Sequence, residues 1–299
     1  MKRCLCAAVI ISAFIFSAAT SISGDILGSF PAKTNMIARM DLEKLRGNSI
    51  YASMKEKNIQ AYNSASEKFC QETGIKLEEI KTIWVAGIGK QNGFIVFEGN
   101  FNPEKIKEIV SKKPELEIET RGDCELALLC PNRRHNNGKS LVALVNSSTI
   151  VAGTPEITDE FIKNFSSGVP TQNFSQKDLI SGDKLIEGSI MAIPQDVAAE
   201  KPFLAQIDSG HFDLDINGKI AMTLVLKMTG VEQADALCKI MEGMVAFGKL
   251  MKKDGQEENP LKKEILDNMS IENSSSTITV KTSLSETTLN SEIEKKNCK

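Results

Sequence analysis

Asp213, Asp215, Asn217 and Gly218 stand in the order D-x-D-x-N-G, the opening of a calcium-binding loop. Such a loop needs a carboxylate at its twelfth position to close the oxygen shell, and that position is Leu224. The residues that follow, "KIAMTLVLKM", are β-rich where a helix should lead away. Asn217-Gly218 is also a strong short hairpin signal, because both residues tolerate positive φ. Ahead of it Phe212, Leu214 and Ile216 alternate with Asp213 and Asp215, which reads as a half-buried strand with acids on the wet face. The stretch is therefore expected to be a hairpin. Asp213, Asp215 and Asn217 remain the metal candidates, lacking the ligand that would complete them.

Other chemical motifs are fragments. "GIGKQNG", 87–93, lacks the spacing of a phosphate loop and joins strand to strand, so no helix start is available to hold a phosphate. "IDSG", 207–210, has no second copy to supply the paired carboxylates of an aspartic protease, and reads as a turn. "SGDK", 181–184, fits S-x-x-K without its companion motifs. The two histidines, His135 and His211, form neither H-E-x-x-H nor a zinc spacing, and G-x-S-x-G is absent. Arg133, Arg134, His135 and Lys139 make the one local basic cluster, which can contact an anion or sit as a solvated turn. No cofactor is implied.

Composition narrows the classes. With 41% hydrophobic residues and 25% charged, the chain is globular. A net charge of -3 without a dominant basic face, and 5% aromatics, argue against nucleic acid as a partner. Lys2 and Arg3 precede an apolar run, Leu5 to Phe16, and then the small residues "SAATSISG". That order is a secretory signal, assigned to residues 1–23, with cleavage near Ala19 or Ser23. The run is short for a spanning helix, which needs about 20 apolar residues, so the membrane enters only if the signal stays as an anchor. Five cysteines follow it: Cys70, Cys124, Cys130, Cys238 and Cys298. Their odd number and irregular spacing suggest buried small hydrophobes, with at most one bridge that sequence does not place.

The elements that would carry these residues alternate. "NMIARMDLEKL" reads as a strand turning into a helix, and helical segments run to about Gln71. "KTIWVAGIG" and "GFIVFEGNF" form a hairpin, followed by an amphipathic helix with Asn102 as N-cap, Pro103 at its first position and Glu104 in its first turn. Short strands, the hairpin "SLVALVNSSTIVAGT" and the helix "PEITDEFIKNF" complete a first domain. The second half has a strand at "SIMAIPQD", the hairpin at 211–228, the helix "GVEQADALCKIMEGMVAFGKLMKK", a hairpin and a final helix. Strand, helix and hairpin thus recur. We read an α+β protein of two similar domains, 24–168 and 169–299, each a mostly antiparallel sheet with helices on one face, separated by the polar stretch 166–177.

"FPAKTNMIARMDLEKLRGNSIY", with the later "GNF…EKI" and "TIVAGT", resembles a loose group of secreted, planctomycete-like bacterial proteins of duplicated α+β build. The likeness is one of apolar pattern over most of the mature chain. That group has no settled activity, so no catalytic residue carries over.

Three functions are compatible with this reading. The leading one is a secreted or periplasmic, non-catalytic binding or envelope-structural protein with an unknown envelope or extracellular partner. A carrier of an apolar ligand between sheet and helices, and an exported hydrolase with a carboxylate or metal site, are the alternatives. The long helix decides much. Ala234, Leu237, Cys238, Met241, Met244, Val245, Gly248 and Met251 form one wide apolar face, with Ile240 and Phe247 partly off it. We expect the face to pack on its own sheet and Ile240 and Phe247 to be covered by the neighbouring domain. The rival reading is a partner surface, a homodimer included.

Overall fold

The computed structural model describes residues 26–297 apart from 90–91, 115, 123, 133–137, 169–179, 192, 194, 201 and 251–258. Residues 1–23, expected to be a signal, and Arg133, Arg134, His135, Met251, Cys298 and most of the polar boundary stretch lie outside the described residues. The protein is α+β and divides at Asp178/Leu179 into two compact units.

Unit 1 opens with α1 (Ile26–Ser29), β1 (Met36–Asp41), α2 (Leu42–Arg46), α3 (Ser49–Lys57) and α4 (Ile59–Thr73). The hairpin β2 (Ile80–Ile88) and β3 (Asn92–Gly99) leads to α5 (Pro103–Ser111). Asn102 caps α5 by accepting the Lys105 N–H at 3.1 Å, as its sequence foretells. Then follow β4 (Glu117–Glu119), β5 (Leu126–Asn132), the hairpin β6 (Gly138–Asn146) and β7 (Thr149–Gly153), and α6 (Pro155–Ser167). The antiparallel strand order is β1-β2-β3-β7-β6-β5-β4. Its core is aromatic. Phe30, just past α1, places its ring 5.9 Å from Trp84, 5.2 Å from Phe94 and 6.0 Å from Phe161 of α6. Gly99 is required at the end of β3, since a Cβ there would lie 2.1 Å from the Glu79 carbonyl oxygen.

Unit 2 comprises β8 (Ile186–Ile190), α7 (Gln195–Glu200), β9 (Ile207–Ile216), β10 (Lys219–Met228), α8 (Val231–Leu250), α9 (Pro260–Asp267), β11 (Ser270–Ser274), β12 (Thr277–Ser285) and α10 (Glu286–Asn297). Its strand order is β8-β9-β10-β12-β11, again antiparallel. This is the order of β1-β2-β3-β7-β6 in unit 1, with a helix after the third strand in both. Met228, Ala234, Cys238, Ile278 and Val280 form the core, with Leu237 and Met241 packed against it.

Two expectations need correction. The strand expected at "SIMAIPQD" is β8, which ends at Ile190, and Gln195 already begins α7. "IDSG" is no turn; it is the first stretch of β9. Its Asp208 carries no paired carboxylate and instead lies 3.3 Å from Lys227.

Candidate functional site

Side chains with chemical potential fall into three groups. The first is a row of polar residues buried across unit 1. Register places Asp41 opposite Thr82, Thr82 opposite Glu98 and Glu98 opposite Thr149, all on one face because alternate residues of a strand share a side. Arg39, two residues before Asp41, is buried on the same face. Its guanidinium donates to Asp41 at 3.1 Å and lies 5.8 Å from the centre of the Trp84 ring. The other Asp41 oxygen accepts the Lys44 N–H at 2.8 Å and so caps α2. Trp84 donates its indole N–H to Glu98 at 2.5 Å. Burial pushes the Glu98 carboxyl above the usual carboxylate range, opposed by the Trp84 hydrogen bond, the Arg39 charge and a hydrogen bond from Thr82. A carboxyl shifted by burial is the usual mark of a catalytic acid. Here its partners are core side chains and it is 8% exposed, so its evident role is to fix the sheet face on which the aromatic core rests.

The second group lies on β8 and β9. Glu187 is 1% exposed, and it accepts the Ser181 N–H at 2.8 Å and the Gly182 N–H at 2.6 Å. The Ser181 hydroxyl donates to the same carboxylate at 3.2 Å and accepts the Asp183 N–H at 3.1 Å. "SGDK" is thus a turn tied to a buried acid, with Gly182 at φ 81°, and Ser181 is engaged by Glu187 where S-x-x-K chemistry would engage the lysine. His211 and Asp213 sit on one side of β9, opposite Ser189 and Glu187 of β8, with His211 Nε2 at 3.8 Å from Asp213. Asp213 and Asp215 are on the strand and Asn217-Gly218 form its turn, so the hairpin is as expected, but its acids do not face water: both are half-buried, and Asp213 stands opposite the buried Glu187. Only Gly218 of that pair takes positive φ, at 68°. Carboxylates two apart on an extended strand stand about 7 Å apart along it, whereas a calcium loop must curl its ligands around one ion. Among the described residues no three His, Cys, Asp or Glu side chains converge on a common point.

Of the basic cluster, Lys139 is the described member. It sits on β6 with Nζ 2.6 Å from Glu117, so its charge is paired with an acid and does not stand alone as an anion contact. Cys70 and Cys238 are free thiols. Cys124 precedes β5, while Cys130 lies on it.

The third group is apolar. α5 and α8 occupy the same place in the strand order, and both bury their fourth and eighth residues: Ile106 and Val110, Ala234 and Cys238. α5 then ends after nine residues, whereas α8 continues to twenty. The extra length runs about 16 Å at 1.5 Å per residue. One side of it is covered by α9, where Leu266 lies 3.2 Å from a Cβ built at Gly248. The other side is open: Ile240 is 58% exposed, Met244 69%, Phe247 62% and Leu250 80%. The expectation that Met244 packs on its own sheet is therefore overturned. The sequence signal was present. Helix α8 carries apolar residues around more of its circumference than one sheet can cover, and no other described element of unit 2 closes the second side.

The chain matches no protein-family model and no curated protein. Three crystal forms of TP0453, a Treponema protein, resemble it in structure. Form IV superposes with a TM-score of 0.50 at 9% identity, over 90% of this chain and 96% of that one. Form III gives 0.49 at 10% over 91% and 99%, and form I gives 0.49 at 10% over 91% and 97%. At this identity the likeness concerns the fold alone. Among the described residues, no helix is long and apolar enough to cross a membrane.

Proposed function

We propose that the protein is an exported, non-catalytic interaction module that docks a partner through the exposed side of α8. The observation that carries this reading is the strip Ile240, Met244, Phe247 and Leu250, four large apolar side chains each more than half exposed within three turns of one helix. At about 100–130 Å² per side chain they present roughly 500 Å², within the size of the largest patch on a monomer and often functional when contiguous. The strip lies in the part of α8 that its counterpart α5 lacks, so the fold does not need it. Export rests on the charged, apolar and small-residue order of the first 23 residues.

A photo-crosslinking residue in place of Phe247, introduced into the full chain in its own host, tests the reading. A discrete adduct is expected from position 247 and none from position 263 on the exposed side of α9. No adduct at 247 would remove the docking surface.

A further inference from the structure

The open strip has a finer pattern. Ala236, Ile240, Gly243, Phe247 and Leu250 are all exposed and follow one another at steps of four, three, four and three. A mean step of 3.5 residues is the spacing that keeps one helix facing another helix along its length. Ile240 and Phe247 occupy one set of positions; Ala236 and Gly243, both small, and Leu250 at the helix end occupy the other. Nothing lies within 4 Å of a Cβ built at Gly243, so the hollow beside it is open.

We propose that the occupant of the strip is a second copy of this chain, its α8 laid antiparallel on the first. This rests on the docking reading above and names its partner. In antiparallel pairing the two sets of positions face each other across the dyad. Aligning Ile240 with Gly243 of the second copy also aligns Phe247 with Ala236 of the second copy. Ile240 and Phe247 then each meet a small residue, twice over, as an isologous two-fold interface requires, while Leu250 falls opposite Gln233 at the edge of the seam. The charge order agrees. Glu232 lies in the first turn of α8 and Lys249 in the last. Antiparallel helices bring opposite ends and opposite dipole poles together, whereas parallel ones would set Glu232 near Glu232 and Lys249 near Lys249. Two strips of roughly 500 Å² bury about 1,000 Å², the lower limit for a specific interface, so the dimer is weak, with dissociation on the order of 1–100 µM.

Sedimentation velocity of the mature chain, from about 1 to 300 µM, reads the proposal. A monomer–dimer equilibrium is expected. Phe247→Glu and Gly243→Ile should each weaken it at least tenfold while leaving the circular dichroism spectrum unchanged, since both positions are open in the single chain. Ile240→Ala added to Gly243→Ile exchanges knob and hollow, and should recover most of the association. A wild-type chain that stays monomeric at 300 µM overturns the proposal, and so does a dimer indifferent to the two single changes or a double variant without recovery. The adduct at position 247 separates the two readings. A mass of two chains supports both. Another protein's mass, or binding of the monomer to lipid vesicles through Phe247, overturns the second copy and keeps the docking surface; no adduct overturns both.

Discussion

Replacing Phe30 by alanine should loosen unit 1 more than its place beside the chain's start suggests. Phe30 is 0% exposed, and its ring makes edge contacts with Trp84 and Phe94 and a tilted contact with Phe161. A buried Phe→Ala change costs about 3–5 kcal/mol, the loss of transfer energy and of the cavity lining combined. Three ring contacts place this site toward the upper part of that range, about 4 kcal/mol. At about 2–4 °C per kcal/mol for a unit of this size, the midpoint should fall by on the order of 10 °C. Trp84 is the chain's single tryptophan, is 0% exposed and touches Phe30, so its emission follows unit 1 alone. Urea titration read at that emission should show a lowered midpoint with an unchanged slope. A loss below about 1 kcal/mol, or native emission typical of indole in water, would refute the packing argument.

Three further outcomes follow from particular residues. Burial raises Glu98 above its ordinary value of 4.5, so the folded state holds a proton that the unfolded state releases. The stability tied to this group is fully present below the unfolded value and is lost as pH rises through the folded one. Between pH 7 and 5 the wild type should therefore gain stability relative to Glu98→Gln, which keeps an acceptor for the Trp84 indole; a pair of parallel curves in urea titrations would contradict this. Gly218→Ala should cost about 1–2 kcal/mol by forcing a Cβ into the left-handed region at φ 68°, measured by thermal unfolding, with Gly243→Ala as a helical control that costs nothing. N-terminal sequencing of material from the host should begin between residues 20 and 26, because Ile26 is already 2% exposed in the core; a start after Ile26 would contradict the reading of the leader and of α1 together.

Much of the fold was legible because local chemistry and tertiary need coincide. Asn102-Pro103-Glu104 opens α5 and Asn217-Gly218 closes the β9–β10 hairpin, each by a mechanism contained in a few residues. The polar interior was not legible. In "MIARMD" the alternation alone points Arg39 and Asp41 to water and Met36 inward. Yet Arg39 is 4% exposed, Asp41 2% and Met36 40%, because cross-strand partners far along the chain, Thr82 and Glu98, turn that face into the core. α9 went unread although Asn259-Pro260 repeats the cap and first position of α5 and Leu261, Ile265 and Leu266 are its apolar residues; at eight residues it is too short to stand without packing beside α8. The α8 strip stood in the sequence as an excess of apolar residues. Which side of it stays open depends on where the sheet and α9 lie, and that is a tertiary fact.

Radical footprinting of Met244 tests the central claim most directly. Met244 is 69% exposed in the single chain, Met222 is 46% exposed on β10, and Met228 is 3% exposed. Comparing the dilute purified protein with the protein in its native envelope, the account predicts that Met244 becomes protected severalfold in the envelope while Met222 oxidises at its former rate and Met228 stays inert in both. Equal oxidation of Met244 in the two settings would contradict the claim that α8 carries a docking surface.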